Sequence, residues 1–126
     1  MPGFSLIMPS DSLDALTQRI RQFAEERDWE QFHNPKNLSM ALIVEAAELV
    51  EHFQWLSQEQ SLELAPEKQE EVSLEMADIL IYLVRLADRL DIDLLESARQ
   101  KILLNGEKYP VQASKGRADR PRGGPS

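Results

Sequence analysis

The sequence predicts an all-α protein of four helices, and three observations carry that expectation. Apolar residues recur every three to four positions, as in Leu13, Leu16, Ile20 and Phe23, which is the period of an amphipathic helix. Residues that start or stop helices punctuate the chain at Asp11 or Ser12, Asn34-Pro35, Pro66, Asp93 and Gly106. No stretch reads as a strand.

The first helix is expected over about 11–28, capped by Asp11 or Ser12. A polar connector from Glu30 to Lys36 follows, and Asn34-Pro35 suits a helix start with proline at the first helical position. The second helix should reach about Leu56. The third should run from about Pro66 to Leu90, long for a small domain. The fourth is short, about 93–105, with Asp93 and Glu96 as a capping box and Gly106 as its stop. Residues 1–110 make one all-α domain; 111–126, rich in Gly, Pro and charge, should be a disordered basic tail.

On the second helix Leu38, Leu42, Glu45, Leu49 and Leu56 share a column, while Ile43, Ala47 and Val50 lie opposite. On the third, Leu80, Leu83 and Ala87 lie to one side and Leu74, Ala77, Ile81 and Val84 to the other. A helix apolar on two sides must be wrapped by protein. One four-helix chain offers too little cover, so a homo-oligomer is expected.

The chain of 126 residues can hold one core. It has no cysteine, which excludes a disulfide scaffold and thiolate metal sites. The start has no basic segment followed by an apolar one, and no run is long enough to cross a membrane. A cytoplasmic protein is expected. Of 14 bases and 22 acids, the last sixteen residues take four bases (Lys115, Arg117, Arg120, Arg122) and one acid, Asp119. Residues 1–110 are left at a net charge of −11. Such a body repels nucleic acid, and an anionic ligand needs a metal to reverse the local field.

Two acid pairs stand out, Glu45-x-x-Glu48 and Glu75-x-x-Asp78, each inside a strongly apolar helix. The i, i+3 spacing puts both carboxylates of a pair on one helix face. A solvated rim explains Glu25, Glu26, Glu63, Glu67 and Glu70, but not Glu45, which sits mid-stripe among leucines. Two facing pairs would build an all-oxygen cage suited to Mg²⁺, with Mn²⁺ as a substitute. Such a cage suggests phosphoanhydride hydrolysis. No Gly-rich phosphate loop is present. Glu51 and Glu71 are candidate outer ligands or bases, or plain rim acids.

Lys101 and Asn105 lie one turn apart on the fourth helix and are candidates to face an anionic ligand, as are Lys36 and Asn37 on the second. Trp29, Trp55 and Tyr82 are candidate base-stacking aromatics, although isolated aromatics more often serve a core. His33 and His52 read as ligand contacts or as structural histidines; His52 has ligand spacing from Glu48.

The runs DWEQFHNPKNL (28–38), EAAELVEHFQW (45–55), LEMADILIYLV (74–84) and QKILLNGEKYP (100–110) resemble the MazG-like, all-α nucleoside triphosphate pyrophosphohydrolases, and among them the dCTP pyrophosphatase branch. The resemblance spans about 13–110. It implies a four-helix bundle assembled as a dimer or tetramer, and Mg²⁺-dependent cleavage of a nucleoside triphosphate to the monophosphate and pyrophosphate. It implies that Glu45, Glu48, Glu75 and Asp78 hold the metals and that water attacks the α-phosphorus. Lys101 and Asn105 would contact the nucleotide, with Trp29, Trp55 and Tyr82 around base and sugar. Ile20 stands where eukaryotic members of that branch carry a histidine near the base, and His52 where they are usually apolar.

Three other readings compete. One is a MazG-type or phosphoribosyl-ATP pyrophosphohydrolase with a different nucleotide. Another is a di-iron carboxylate bundle, which needs two Glu-x-x-His motifs; only Glu30-x-x-His33 is present, beside a proline. The third is a non-catalytic helical assembly module, for which the buried acids would only cost stability.

Overall fold

The computed structural model describes residues 12–118. Its elements are α1 (Leu13–Glu26), α2 (Pro35–Glu51), α3 (Gln58–Leu62), α4 (Pro66–Arg89), α5 (Leu94–Lys108) and α6 (Val111–Ser114). The four long helices fall where the sequence puts them, and no strand occurs among the described residues. Asp11 and residues 119–126 of the expected tail lie outside the described residues.

Local chemistry sets most boundaries. Ser12 Oγ caps α1 by accepting from the Ala15 amide at 3.0 Å, and Asn34 Oδ1 caps α2 by accepting from Asn37 at 2.9 Å. Pro35 and Pro66 open α2 and α4, where a missing N–H costs nothing. The short helix α6 lies within the segment expected to be a disordered tail, and three boundaries also differ from expectation. α2 stops at Glu51 because Phe53 and Gln54 both donate to the Val50 carbonyl at 2.9 Å, tightening the chain into turns before Leu56. α3 was not expected, yet Ser57 and Gln60 form a full capping box for it. Gly106 does not stop α5; the helix runs on to Lys108, where Pro110 disfavours the helical conformation at Tyr109.

The chain divides into two compact units, one up to Asp91 and one from Ile92 on. In the first unit α4 is the central element, packed along α2 and against α1. Its core is small: Ala15, Ala24, Leu38, Val72, Val84 and Ala87 are buried. Arg21 of α1 clamps Asp88 of α4 with two hydrogen bonds, 2.6 and 3.0 Å. In the second unit no residue of α5 is buried.

The exit from α1 aims the connector. Asp28 adopts φ +54°; its amide bonds the Glu25 carbonyl at 3.0 Å, and the Trp29 amide bonds Ala24 at 2.9 Å. This is the Schellman arrangement, usually closed by glycine. It folds the Trp29 ring back onto Phe23, edge to face at 5.7 Å, and Arg27 covers the Phe23 ring at 3.5 Å. Asp28→Val should cost about 1–2 kcal/mol, the penalty of a side chain in the left-handed region, whereas Asp28→Gly should be neutral or stabilising. Urea denaturation of both variants checks this, and equal stabilities would contradict it.

Candidate active site

Because α2 and α4 pack side by side, their acids meet. Glu45 and Glu48 of α2 and Glu75 of α4 place carboxylate oxygens within 4.8 Å of one another, and all three side chains are half-buried. One oxygen each of Glu45 and Glu75 is enclosed without a hydrogen-bond partner. Burial is the largest cause that pushes the Glu45 carboxyl up to about 7, followed by hydrogen bonding with Glu75 and Glu48 and repulsion from Glu48 and Asp78. A cluster of this kind needs protons or a cation. Two orphaned oxygens in a group of three hard ligands fit a divalent ion, and Glu45, Glu48 and Glu75 are the residues that would hold it. Asp78, one turn beyond Glu75, is more exposed and stands outside this triad while adding its charge to Glu45.

Asp78 also borders a pocket of about 460 Å³. Its apolar and aromatic wall includes Leu16, Ile20, Phe23, Trp29, Ile81 and Tyr82, with Arg19, His33 and Arg85 as further polar members. The volume and the aromatic lining suit a planar ring. Trp29 and His33 face each other at 6.0 Å between ring centres. Burial, then the charges of Arg85 and Arg89, hold His33 below the usual histidine range, so its ring is neutral.

The structure thus brings together Glu45, Glu48 and Glu75, and beside them Asp78, Trp29, His33, Tyr82 and Ile20. The other candidates have surroundings of their own. Asn37 donates to the Phe32 carbonyl at 3.1 Å, bracing the connector, and Lys36 is exposed. Trp55 is 87% exposed. Lys101 and Asn105 sit on the exposed surface of α5 in the second unit. His52 lies 3.3 Å from Lys68 and 3.9 Å from Glu71, and Glu71 pairs with Lys68 at 3.3 Å. Glu51 is exposed.

Sequence reasoning passed over Arg85, a 2%-exposed guanidinium in the pocket wall. It donates to His33 Nδ1 at 3.2 Å and to Asp88 Oδ2 at 3.4 Å. Asp88 is held well below the usual carboxylate range chiefly by its hydrogen bonds from Arg21. The available signal was position: Arg85 follows Asp78 by two helical turns and Tyr82 by nearly one, on one side of α4.

An all-α protein that gathers carboxylates from two packed helices beside an aromatic pocket is a recognisable class. Residues 40–120 match the MazG-like family, and the chain belongs to that family. Its relatives narrow the comparison. It is 43% identical to dCTP pyrophosphatase 1 of Rattus norvegicus, across 91% of this chain and 71% of that protein. With dCTP pyrophosphatase 1 of Homo sapiens the figures are 37%, 90% and 68%. A solved pyrophosphatase from Archaeoglobus fulgidus is 38% identical, with a TM-score of 0.74 over 78% of this chain and 92% of its own. The resemblance read from the four sequence runs is borne out.

The raised Glu45 carboxyl has a consequence for stability. A folded-state value above the ordinary 4.5 means that stability from this group is present below pH 4.5 and lost as pH rises through about 7. In metal-free protein, Glu45→Gln should therefore gain in melting temperature over the parent progressively between pH 4.5 and 8. Added Mg²⁺ should stabilise the parent more than the variant at pH 8. Thermal melts across that range check both, and a pH-independent difference would contradict the account.

Proposed function

We propose that the chain is a nucleoside triphosphate pyrophosphohydrolase acting on dCTP or a modified dCTP. Water attacks the α-phosphorus, the bond to the oxygen shared with the β-phosphorus breaks, and the monophosphate and pyrophosphate leave. The observation that carries this reading is the juxtaposition of the Glu45–Glu48–Glu75 cluster with the aromatic pocket, Asp78 lining the pocket and acting on Glu45 through its charge. Its homologues named as dCTP pyrophosphatases support the same substrate.

In this reading Glu45, Glu48, Glu75 and Asp78 hold Mg²⁺, or Mn²⁺ in its place. Bound there, the ion supplies charge neutralisation for the phosphates and a more acidic attacking water. Trp29 and Tyr82 flank the base, His33 stands at its edge, and Ile20 packs against it without offering a hydrogen bond. Lys101 and Asn105 are proposed to contact phosphates, and Lys36, Asn37 and Trp55 to lie near the nucleotide once the assembly is complete. A cytoplasmic location suits this substrate. Among the described residues no helix is long and apolar enough to cross a membrane.

A homo-oligomer, dimer or tetramer, belongs to the same proposal. In the first unit Ile43 (66%), Val44 (54%), Val50 (57%) and Leu74 (61%) are exposed; in the second, Ile102 (69%) and Leu103 (71%) are. Apolar surface this extensive calls for a partner, and a second copy of the chain is the simplest one.

The test is a hydrolysis panel over all dNTPs and NTPs with Mg²⁺, reading pyrophosphate and orthophosphate separately. Pyrophosphate with dCMP is expected, lost with EDTA and reduced at least about a hundredfold by Glu45→Ala. Orthophosphate alone would mean attack at the γ-phosphorus and overturn the reading. No turnover on any nucleotide would favour the assembly module instead.

A further inference from the structure

We propose that Arg85 is a specificity-determining residue of the nucleotide pocket: braced by Asp88 and paired with His33, it presents an edge of hydrogen-bond donors that accepts cytosine and rejects uracil and thymine. The inference rests on the pyrophosphohydrolase reading above and adds the basis of base choice.

The Arg85 guanidinium is a buried cation. Arg85 is 2% exposed, yet its guanidinium is only partly satisfied. Nε donates to His33 Nδ1 at 3.2 Å, Nη1 donates to Asp88 Oδ2 at 3.4 Å, and Nη2 is enclosed with no partner. Buried guanidinium nitrogens are costly to leave unpaired, so an unpaired one in the wall of a pocket points to a ligand acceptor. Arg85 and His33 both border the pocket that Trp29 and Tyr82 line.

The pairing also fixes the neighbouring ring. Arginine can only donate, so Nδ1 of His33 must accept, and the ring proton then resides on Nε2. The low proton affinity of His33, set by burial and by Arg85 and Arg89, agrees with a neutral ring. His33 Nε2–H makes no hydrogen bond among the described residues. Two residues with an unpaired donor, Arg85 and His33, therefore line one pocket, and the enclosed Arg85 Nη2 reaches a ligand there once the side chain turns toward it. Asp88 keeps the guanidinium in place, because Arg21 holds that carboxylate through both oxygens.

Base chemistry does the rest. Cytosine carries adjacent acceptors at N3 and O2. Uracil and thymine carry a proton on N3, which would meet a donor and leave both groups unpaired inside an apolar wall. Mispairing of this kind is worth about ten- to hundredfold in affinity. Ile20, at the same pocket, has no polar atom to contribute, and Arg19, the donor that α1 brings to the lining, is exposed; the selection is assigned to Arg85 of α4 and His33 of the connector.

The test compares binding of dCMP and dUMP by calorimetry to the parent protein, Arg85→Met and Arg85→Lys, with thermal melts confirming that each variant folds. The parent should prefer dCMP about ten- to hundredfold. Arg85→Met should bring the ratio close to one through loss of dCMP affinity. Arg85→Lys, which keeps the charge beside Asp88 with a different donor geometry, should fall between; it also serves if the methionine variant does not fold. A parent that binds both equally, or variants that lose both ligands by one factor and keep the ratio, would overturn the proposal. Parent turnover of dCTP to pyrophosphate, measured alongside, separates the two levels. Turnover with an unchanged ratio sinks only the role of Arg85, whereas no turnover sinks the reading beneath it.

Discussion

Like charges held face to face organise this protein. Glu45, Glu48 and Glu75 are delivered to one spot by the packing of α2 against α4, and nothing among the described residues neutralises Glu45 or Glu75 there. The fold tolerates the arrangement only while a proton or a cation shares the site: burial first, and the neighbouring acids after it, push the Glu45 carboxyl up. Apolar burial along the two helices must outweigh the repulsion it enforces. Stability is given up locally to hold ligands in place. Asp78 joins this centre to the aromatic pocket, so a phosphate chain at the acids and a ring at the tryptophan can belong to one molecule.

A second polar chain braces the pocket from behind. Arg21, Asp88, Arg85 and His33 link α1, α4 and the connector through hydrogen bonds of 2.6 to 3.4 Å. Exposure falls along it from the α1 end: Arg21 is half-exposed, while Arg85, deeper in, is almost wholly buried. The exposed end is worth little by itself, but the buried Arg85 makes the chain costly to break. Along with the Schellman turn at Asp28, this chain fixes where Trp29 and His33 stand.

Much of this was legible in the sequence because it depends on short spacings. The caps at Ser12 and Asn34 and the proline starts are read within four residues, and the i, i+3 acid pairs declare their shared face. The box at Ser57 and Gln60 was equally local and was passed over only because the segment is so short. Gly106 misled for the opposite reason: as a residue it argues for a stop, but a proline four positions later ends α5 instead. The pairings of Arg85 with His33 and of Asp88 with Arg21 were not legible, since they span 52 and 67 residues of the chain. Trp55, an aromatic near the acids in sequence, is left exposed by the single chain, a placement no short spacing announces.

The central claim is that the acid cluster is a cation site, and direct metal binding tests it without any assumption about the substrate. Mn²⁺ titration followed by electron paramagnetic resonance should show bound ion in the parent protein. Glu45→Gln and Glu75→Gln should each weaken that binding about tenfold or more, as expected when a ligand loses its charge. Mn²⁺ held equally well by both variants would contradict the account, because the cluster would then be a strained patch of acids and the metal site would lie elsewhere.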